Sequence, residues 1–351
     1  TDPSNQQIGA GKMAAQADSD LSPQKRAMME ALLRQKRAAL VSTGMNLVAR
    51  ASGQAIPLSF AQERMWFLEQ LVEKSVTYNI TFVHRLIGQL HVQALFQSIN
   101  HLVERHEALR TCFVLVDGQP IQKILPTLPV DLPVIDLRGL SEAERQKEAN
   151  RLAAEQAALP FDLAQGPLLR VTLLKLGEED HTLVFAIHHL ICDEWSMENL
   201  WSEMGIAYDA FAQGKIPELP AFPVQYADFA ISQRVWIQES ILERELLYWK
   251  EKLAGAPHFV EIATDHPYPE KHRMRGDTCM RQLPISLWNA FRTLSQAERV
   301  TPFTALLTAF AAWIARYTSQ EDFLIGTPVA NRNRTELEGL VGLFVNTLAI
   351  R

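Results

Sequence analysis

Two adjacent histidines followed by an acid carry the strongest chemical signal in the chain: residues His188 to Ser196 read HHLICDEWS. The run sits where a stretch of β-branched residues ends and a helical periodicity begins, a junction at which scaffolds commonly present reactive groups. Neighbouring side chains of an extended strand point to opposite faces, so His188 and His189 are expected to divide their tasks, one facing a cavity and the other the core. Three chemistries fit these residue types. His189 and Asp193 could ligate a metal, although third and fourth ligands at suitable spacing are not evident and opposed histidines chelate one ion poorly. Both histidines could be structural, with Asp193 capping the next helix. Or His189 could accept a proton from a nucleophile while Asp193 orients the site, a task that suits imidazole because it changes protonation near neutral pH. Spacing alone does not choose among them.

The elements that must hold this run in place follow from periodicity. Leu168 to Leu176 and Thr182 to Ile187 read as strands joined by a turn at Gly177 to Asp180, a predicted antiparallel hairpin that delivers the histidines at its end. After them Met197, Leu200, Trp201, Met204, Tyr208 and Phe211 mark one helix face, with Ser196 as the expected N-cap and Gly214 as the stop. Further helices are predicted over Ala61 to Leu71, Val92 to His106, Ser141 to Ala158, Tyr226 to Leu253, Ser286 to Glu298 and Pro302 to Tyr317. Further strands are predicted over Tyr78 to Leu86, Thr111 to Val116, Thr278 to Leu283, Asp322 to Gly326 and Val341 to Ile350. A strand at the end of a chain leaves its sheet neighbours undefined, so the sequence reads as a fragment.

Composition bounds the rest. The chain has 351 residues, 47% apolar and 21% charged, which predicts about two globular domains at ~150 residues each. A net charge of -6 argues against a phosphate backbone as the main partner, so no nucleic acid is expected. The longest apolar runs fall short of the ~20 residues that span a membrane, and the polar start has no apolar core of a secretory signal. Cys112, Cys192 and Cys279 are odd in number and far apart, which suggests neither a disulfide framework nor a zinc site; a reducing cytoplasm is the expected compartment. Residues 1–20 lack large apolar side chains and read as a flexible leader. Ser22 and Pro23 open a short basic helix, so 21–55 is expected to be a helical linker or a docking segment.

Five motifs occur in order: LSFAQERMWFLEQL from Leu58, RHEALRTCF from Arg105, HHLICDEWS from His188, VQYADFAISQ from Val224 and IGTPVANRNRTELEGLVGLFVNTL from Ile325. Together they closely resemble the condensation domains of nonribosomal peptide synthetases, over nearly everything from Ile56 to Arg351; the histidine motif alone also resembles related CoA-dependent acyltransferases. The resemblance implies a mixed α/β fold of the α+β type, with two chloramphenicol acetyltransferase-like lobes in a V-shaped pseudo-dimer. Residues 56–255 would form the N-terminal lobe and 256–351 a partial, truncated C-terminal lobe. It implies amide formation between a donor acyl or peptidyl thioester and the amine of an acceptor aminoacyl thioester. Both substrates would ride on phosphopantetheine arms of upstream and downstream carrier domains, beside an adenylation domain, with no cofactor bound by the chain itself and no metal. Epimerisation by a sister domain and a noncatalytic recruitment module are the rival readings.

Residue by residue, the resemblance assigns catalysis to His189, as base or as a group that positions the amine, with His188 in support. Asp193 matches a structural acid that pairs with an arginine, here Arg332. Arg64 matches a residue near the substrate tunnel, the alternative being an ion pair with Glu63 or Glu107. Trp195 and Ser196 are expected to pack and cap. Glu194 departs from the family, which has Gly there. A Glu held at positive φ would carry strain of about 1 kcal/mol, and a carboxylate turned toward His189 would favour the charged imidazolium.

Overall fold

The structure is a computed structural model that describes residues 45–72, 75–267 and 279–351; the expected leader and most of the linker lie outside them. The described chain divides into two compact units, residues 45–238 with 330–345, and 239–329 with 346–351. The division thus runs at 238/239, where the composition had suggested 255/256, and the segment Ala330–Val345 belongs to the first unit.

In the first unit four strands form a mixed sheet in the order β2-β7-β6-β5: β2 (Asn79–Ile87), β5 (Val134–Asp136), β6 (Leu169–Lys175) and β7 (Asp180–His188). The predicted β6–β7 hairpin is antiparallel, pairing Leu169 with Ile187, while β5 runs parallel to β6. Strand β7 is central and buried from His181 to His188, which is why its sequence is a nearly continuous apolar run. Its side chains alternate: Leu183, Phe185 and Ile187 enter the main core, whereas Val184 joins a second cluster with Ala149 and Ala153. His188 therefore ends the strand on the face of Val184. A second sheet, β1-β4-β3, comprises β1 (Ile56–Pro57), β3 (Thr111–Val116) and β4 (Gln119–Ile124).

The main core is closed by α2 (Val92–Arg105) and α4 (Glu194–Ala212). Leu95, Ile99 and Leu102 of α2 and Met197, Leu200 and Met204 of α4 are buried at helical spacing, an apolar stripe of the expected width. Ahead of them α1 (Phe60–Gln70) starts from a capping box in which Ser59 and Gln62 satisfy each other's backbone N–H groups. The amphipathic α3 (Glu142–Ala158) covers the second cluster, and α5 (Tyr226–Trp236) follows α4.

The second unit contains α6 (Glu239–Leu253), α7 (Ile285–Ala297), α8 (Pro302–Thr318) and the two-stranded sheet of β8 (Ile325–Val329) and β9 (Asn346–Ile350), with a short α9 (Thr335–Glu338) in the intervening segment that belongs to the first unit. Among its described residues Ile314 is the only buried apolar side chain.

Several expectations are corrected. Tyr226 to Leu253 is not one helix but two, broken at Ile237 and Gln238. Cys279 to Leu283 forms no strand, and Thr278 lies outside the described residues. Of Val341 to Ile350 only the second half is a strand, because the backbone of the first half is bonded to side chains of the first unit, as described below. The first residue of α4, Glu194, has ordinary helical backbone and not positive φ, and Asp193, not Ser196, is the N-cap.

Candidate active site

His188 and His189 follow one another but are bound in opposite senses. The Leu190 N–H donates to Nδ1 of His188 at 3.1 Å, so that nitrogen carries no proton and the proton of the neutral ring sits on Nε2. Nε2 faces the Glu69 carboxylate at 3.8 Å, and the ring meets Phe161 edge-on. The His188 side chain is 2% exposed. His189 is partly exposed and begins a 3-10 turn, His189–Ile191. Its Nδ1 lies 2.6 Å from the Cys192 carbonyl oxygen. A carbonyl can only accept, so Nδ1 donates and Nε2 keeps its lone pair in the neutral ring. The turn is held from both sides: Gln62 Nε2 donates to the Leu190 carbonyl, and the His189 N–H donates to the Tyr78 carbonyl.

Asp193 collects five donors. Oδ1 accepts from the Ser196 N–H at 2.9 Å, the Ser196 hydroxyl at 2.6 Å and Arg332 Nη2 at 3.0 Å. Oδ2 accepts from the N–H groups of Phe344 at 2.9 Å and Val345 at 3.2 Å. Those bonds consume the lone pairs a metal would need, so the side chain is a buried anchor and not an available ligand. Arg332 completes the anchor. Nη1 donates to the carbonyls of Leu337 and Leu340, and its guanidinium lies 4.0 Å from the centre of the Phe344 ring. Burial pulls the guanidinium below its ordinary pKa, and Asp193 opposes that shift. The segment between β8 and β9 is thus fastened to the start of α4, with Trp195 Nε1 and Asn199 Nδ2 both donating to the Glu338 carbonyl.

Three residues in this anchor were not anticipated. Tyr226 is buried, donates to the Leu343 carbonyl at 2.7 Å and meets the Ser59 hydroxyl at 2.8 Å. Gly342 packs so closely on it that a Cβ would lie 1.9 Å from a Tyr226 ring carbon. Ser196, expected as a cap, bridges Asp193, Arg332 and the Gly342 N–H. Cys192 beside them is no nucleophile, because burial pushes its thiol well above the ordinary range and keeps it protonated.

The expected ion pair of Arg64 is not formed. Arg64 is exposed on α1 without a partner among the described residues, while Glu63 binds Arg234 and Glu107 binds Arg50. Glu194 is exposed and makes no contact with His189; its acid instead favours the positive end of α4. A cavity of about 870 Å³ opens between the last turn of α1, β3 and the loop at Phe161, with Glu69 in its wall.

The comparisons with known proteins agree with this architecture. The family model described as the condensation domain matches residues 52–351. The chain belongs to the condensation-domain family of nonribosomal peptide synthetases. One of the linear gramicidin synthase polypeptides of Brevibacillus parabrevis is 47% identical over 296 residues, 84% of this chain and 6% of the synthase. The chain therefore spans only a small part of that relative. Among solved structures, the X-domain from teicoplanin biosynthesis superposes with a TM-score of 0.76 at 26% identity, over 87% of this chain and 67% of that one. The first condensation domain of the CDA synthetase shares the fold, with a TM-score of 0.71 at 22% identity over 86% and 71% of the two chains. The mixed α/β architecture is that of solved condensation domains. Among the described residues no helix is long and apolar enough to cross a membrane.

Proposed function

We propose that this condensation domain forms an amide bond between two carrier-bound substrates, with His189 as the proton acceptor. The observation that supports this most is the hydrogen bond from His189 Nδ1 to the Cys192 carbonyl, which leaves Nε2 unprotonated on a partly exposed ring. The acceptor amine attacks the carbonyl carbon of the donor thioester and the N–H proton, acidified as the C–N bond forms, passes to Nε2. Collapse of the tetrahedral intermediate breaks the C–S bond. The leaving sulfur takes the proton back from the imidazolium, so the products are an amide and a free thiol on the donor arm.

A free α-amine has a pKa of about 7.7–8.0, so a useful fraction is neutral before it attacks and the base acts on the later, more acidic N–H. Both phosphopantetheine arms arrive on partner carrier domains, as substrates and not as a resident cofactor. Within this reading Asp193 and Arg332 do not touch the substrates; they hold the end of β7 and the start of α4 in register.

The test is single-turnover amide formation with both carriers loaded, followed by mass spectrometry and chiral analysis of the product. His189→Ala is expected to lower the rate by about 10² to 10⁴. An unchanged rate would remove His189 from proton transfer. A stereoinverted substrate without a new amide would assign epimerisation instead, and no turnover by the wild type would leave a recruitment module.

A further inference from the structure

His188 takes no part in the proton transfer proposed above, yet it is buried beside His189, and its ring is the hydrogen-bond acceptor for the turn that carries its neighbour. A neutral imidazole accepts at Nδ1 only while its proton stays on Nε2. Something must favour that tautomer, and the group facing Nε2 is the Glu69 carboxylate, 3.8 Å away with its side chain only 7% exposed. Glu69 sits in the last turn of α1, where the Ser75 hydroxyl donates to the same oxygen at 3.0 Å. A carboxylate that far out of water needs donors, and His188 Nε2–H is directed at it.

We infer that Glu69 is a positioning residue for catalysis: by holding the proton of His188 on Nε2 it keeps Nδ1 open to the Leu190 N–H, and so fixes the turn that aims His189. The inference rests on the proposed condensation reaction for its kinetic consequence, but not for its structural one. The line of contacts is short. Glu69 faces His188, His188 accepts from Leu190, and the Leu190 turn starts at His189, whose ring is bonded to Cys192 at the end of that turn. Were the His188 proton to move to Nδ1, two N–H groups would face each other across 3.1 Å, and the turn would shift to separate them. Displacement of a catalytic group by about 1 Å can cost roughly 100-fold in rate.

The experiment uses the full chain labelled with 15N-histidine and long-range 15N–1H correlation spectra, the signals being assigned with His188→Gln and His189→Gln. In the wild type His188 is expected as the Nε2–H tautomer and His189 as the Nδ1–H tautomer. Glu69→Leu should populate the Nδ1–H form of His188 and lower kcat about 10- to 100-fold, with KM for each loaded carrier changed by less than about 3-fold. Glu69→Gln, which keeps a carbonyl oxygen toward Nε2, should restore the wild-type tautomer and most of kcat. A wild-type His188 protonated on Nδ1, or a Glu69→Leu protein with the wild-type spectrum, overturns the inference. Should the wild type form no amide at all, the condensation reading fails, and the spectra still decide the role of Glu69.

Discussion

Asp193→Asn separates two roles that a helix N-cap and an ion-pair anchor would otherwise share. Asn caps a helix about as well as Asp, so a residue needed only to start α4 would tolerate the change. The five partners of Asp193 are all donors, however, and they approach both oxygens. An amide offers one acceptor oxygen and one NH₂. Turned one way, the NH₂ faces the Phe344 and Val345 N–H groups; turned the other, it faces the Arg332 guanidinium and Ser196. In either orientation the Arg332 charge loses its counter-ion while its side chain stays fully out of water, and breaking a buried pair costs about 3–5 kcal/mol. We therefore expect Asp193→Asn to destabilise by about 4 kcal/mol, a large share of the 5–15 kcal/mol typical of a domain. At about 2–4 °C per kcal/mol for a unit of this size, the melting temperature falls by roughly 8–16 °C. Calorimetry or urea unfolding of wild type, Asp193→Asn, Arg332→Leu and the double variant reads the result. The double variant should lie at least about 1 kcal/mol closer to wild type than the two single losses summed, since the orphaned charge is gone. A melting temperature within about 2 °C of wild type for Asp193→Asn, less than 1 kcal/mol would produce, would refute the anchor and leave capping alone.

Gly342→Ala should destabilise by about 3 kcal/mol, because its new Cβ would lie 1.9 Å from the Tyr226 ring and neither side can yield without moving the anchored segment; Gly342→Ala with Tyr226→Ala, measured by the same melts, should recover part of the loss. Glu194→Gly should leave the pH dependence of amide formation unchanged, since that exposed acid does not meet His189, and should cost at most about 1–2 kcal/mol through helix propensity and the lost charge at the start of α4; a pH–rate profile that moves would overturn this. Acidification should weaken the first unit. Burial holds the imidazoles of His106, His84 and His181 below their ordinary value. Burial alone would raise Glu203, but the hydrogen bonds of His106 and Arg105 leave it below the usual carboxylate range. In each case the unfolded chain binds protons at a higher pH than the folded one, so stability is complete above the ordinary values and declines as pH falls below about 6.5, first through the histidines and then through Glu203. Melting temperatures that stay level from about pH 8 to about pH 5 would contradict this.

How much of the site was legible depends on where each signal was written. The β6–β7 hairpin, the histidines at its end and the apolar stripe of α4 are local patterns, and the structure reproduces them with boundaries shifted by one to three residues. The turn Asp117–Gly118, with both residues at positive φ, is a strong hairpin signal; strand β4 was missed because its Gln119, Gln122 and Lys123 dilute the alternation. Strand β5, with three residues, carries too little pattern to read. Val341 to Val345 reads as strand because it is apolar, yet its Phe344 and Val345 N–H groups go to Asp193, 151 and 152 residues earlier. No window of sequence contains both ends of such a bond. Tyr226, Gly342 and Glu69 escaped for the same reason: their meaning lies in partners supplied by the fold.

The different behaviour of two identical side chains side by side illustrates that limit. Strand alternation predicts that His188 and His189 face apart, but not what each ring does. That is decided by backbone groups within three residues. The Leu190 N–H requires an acceptor, which makes His188 the ring protonated on Nε2; the Cys192 carbonyl requires a donor, which makes His189 the ring protonated on Nδ1. One 3-10 turn supplies both demands, so the same local geometry that removes the first ring from chemistry frees Nε2 of the second. It follows that the turn, and not the pair of residue types, is the element on which the proposed base depends. Gln62 on the Leu190 carbonyl and Asp193 at the start of α4 both hold that turn without touching the His189 ring. Substitutions at either are expected to act on rate through the same shift of His189, in proportion to how far they release it.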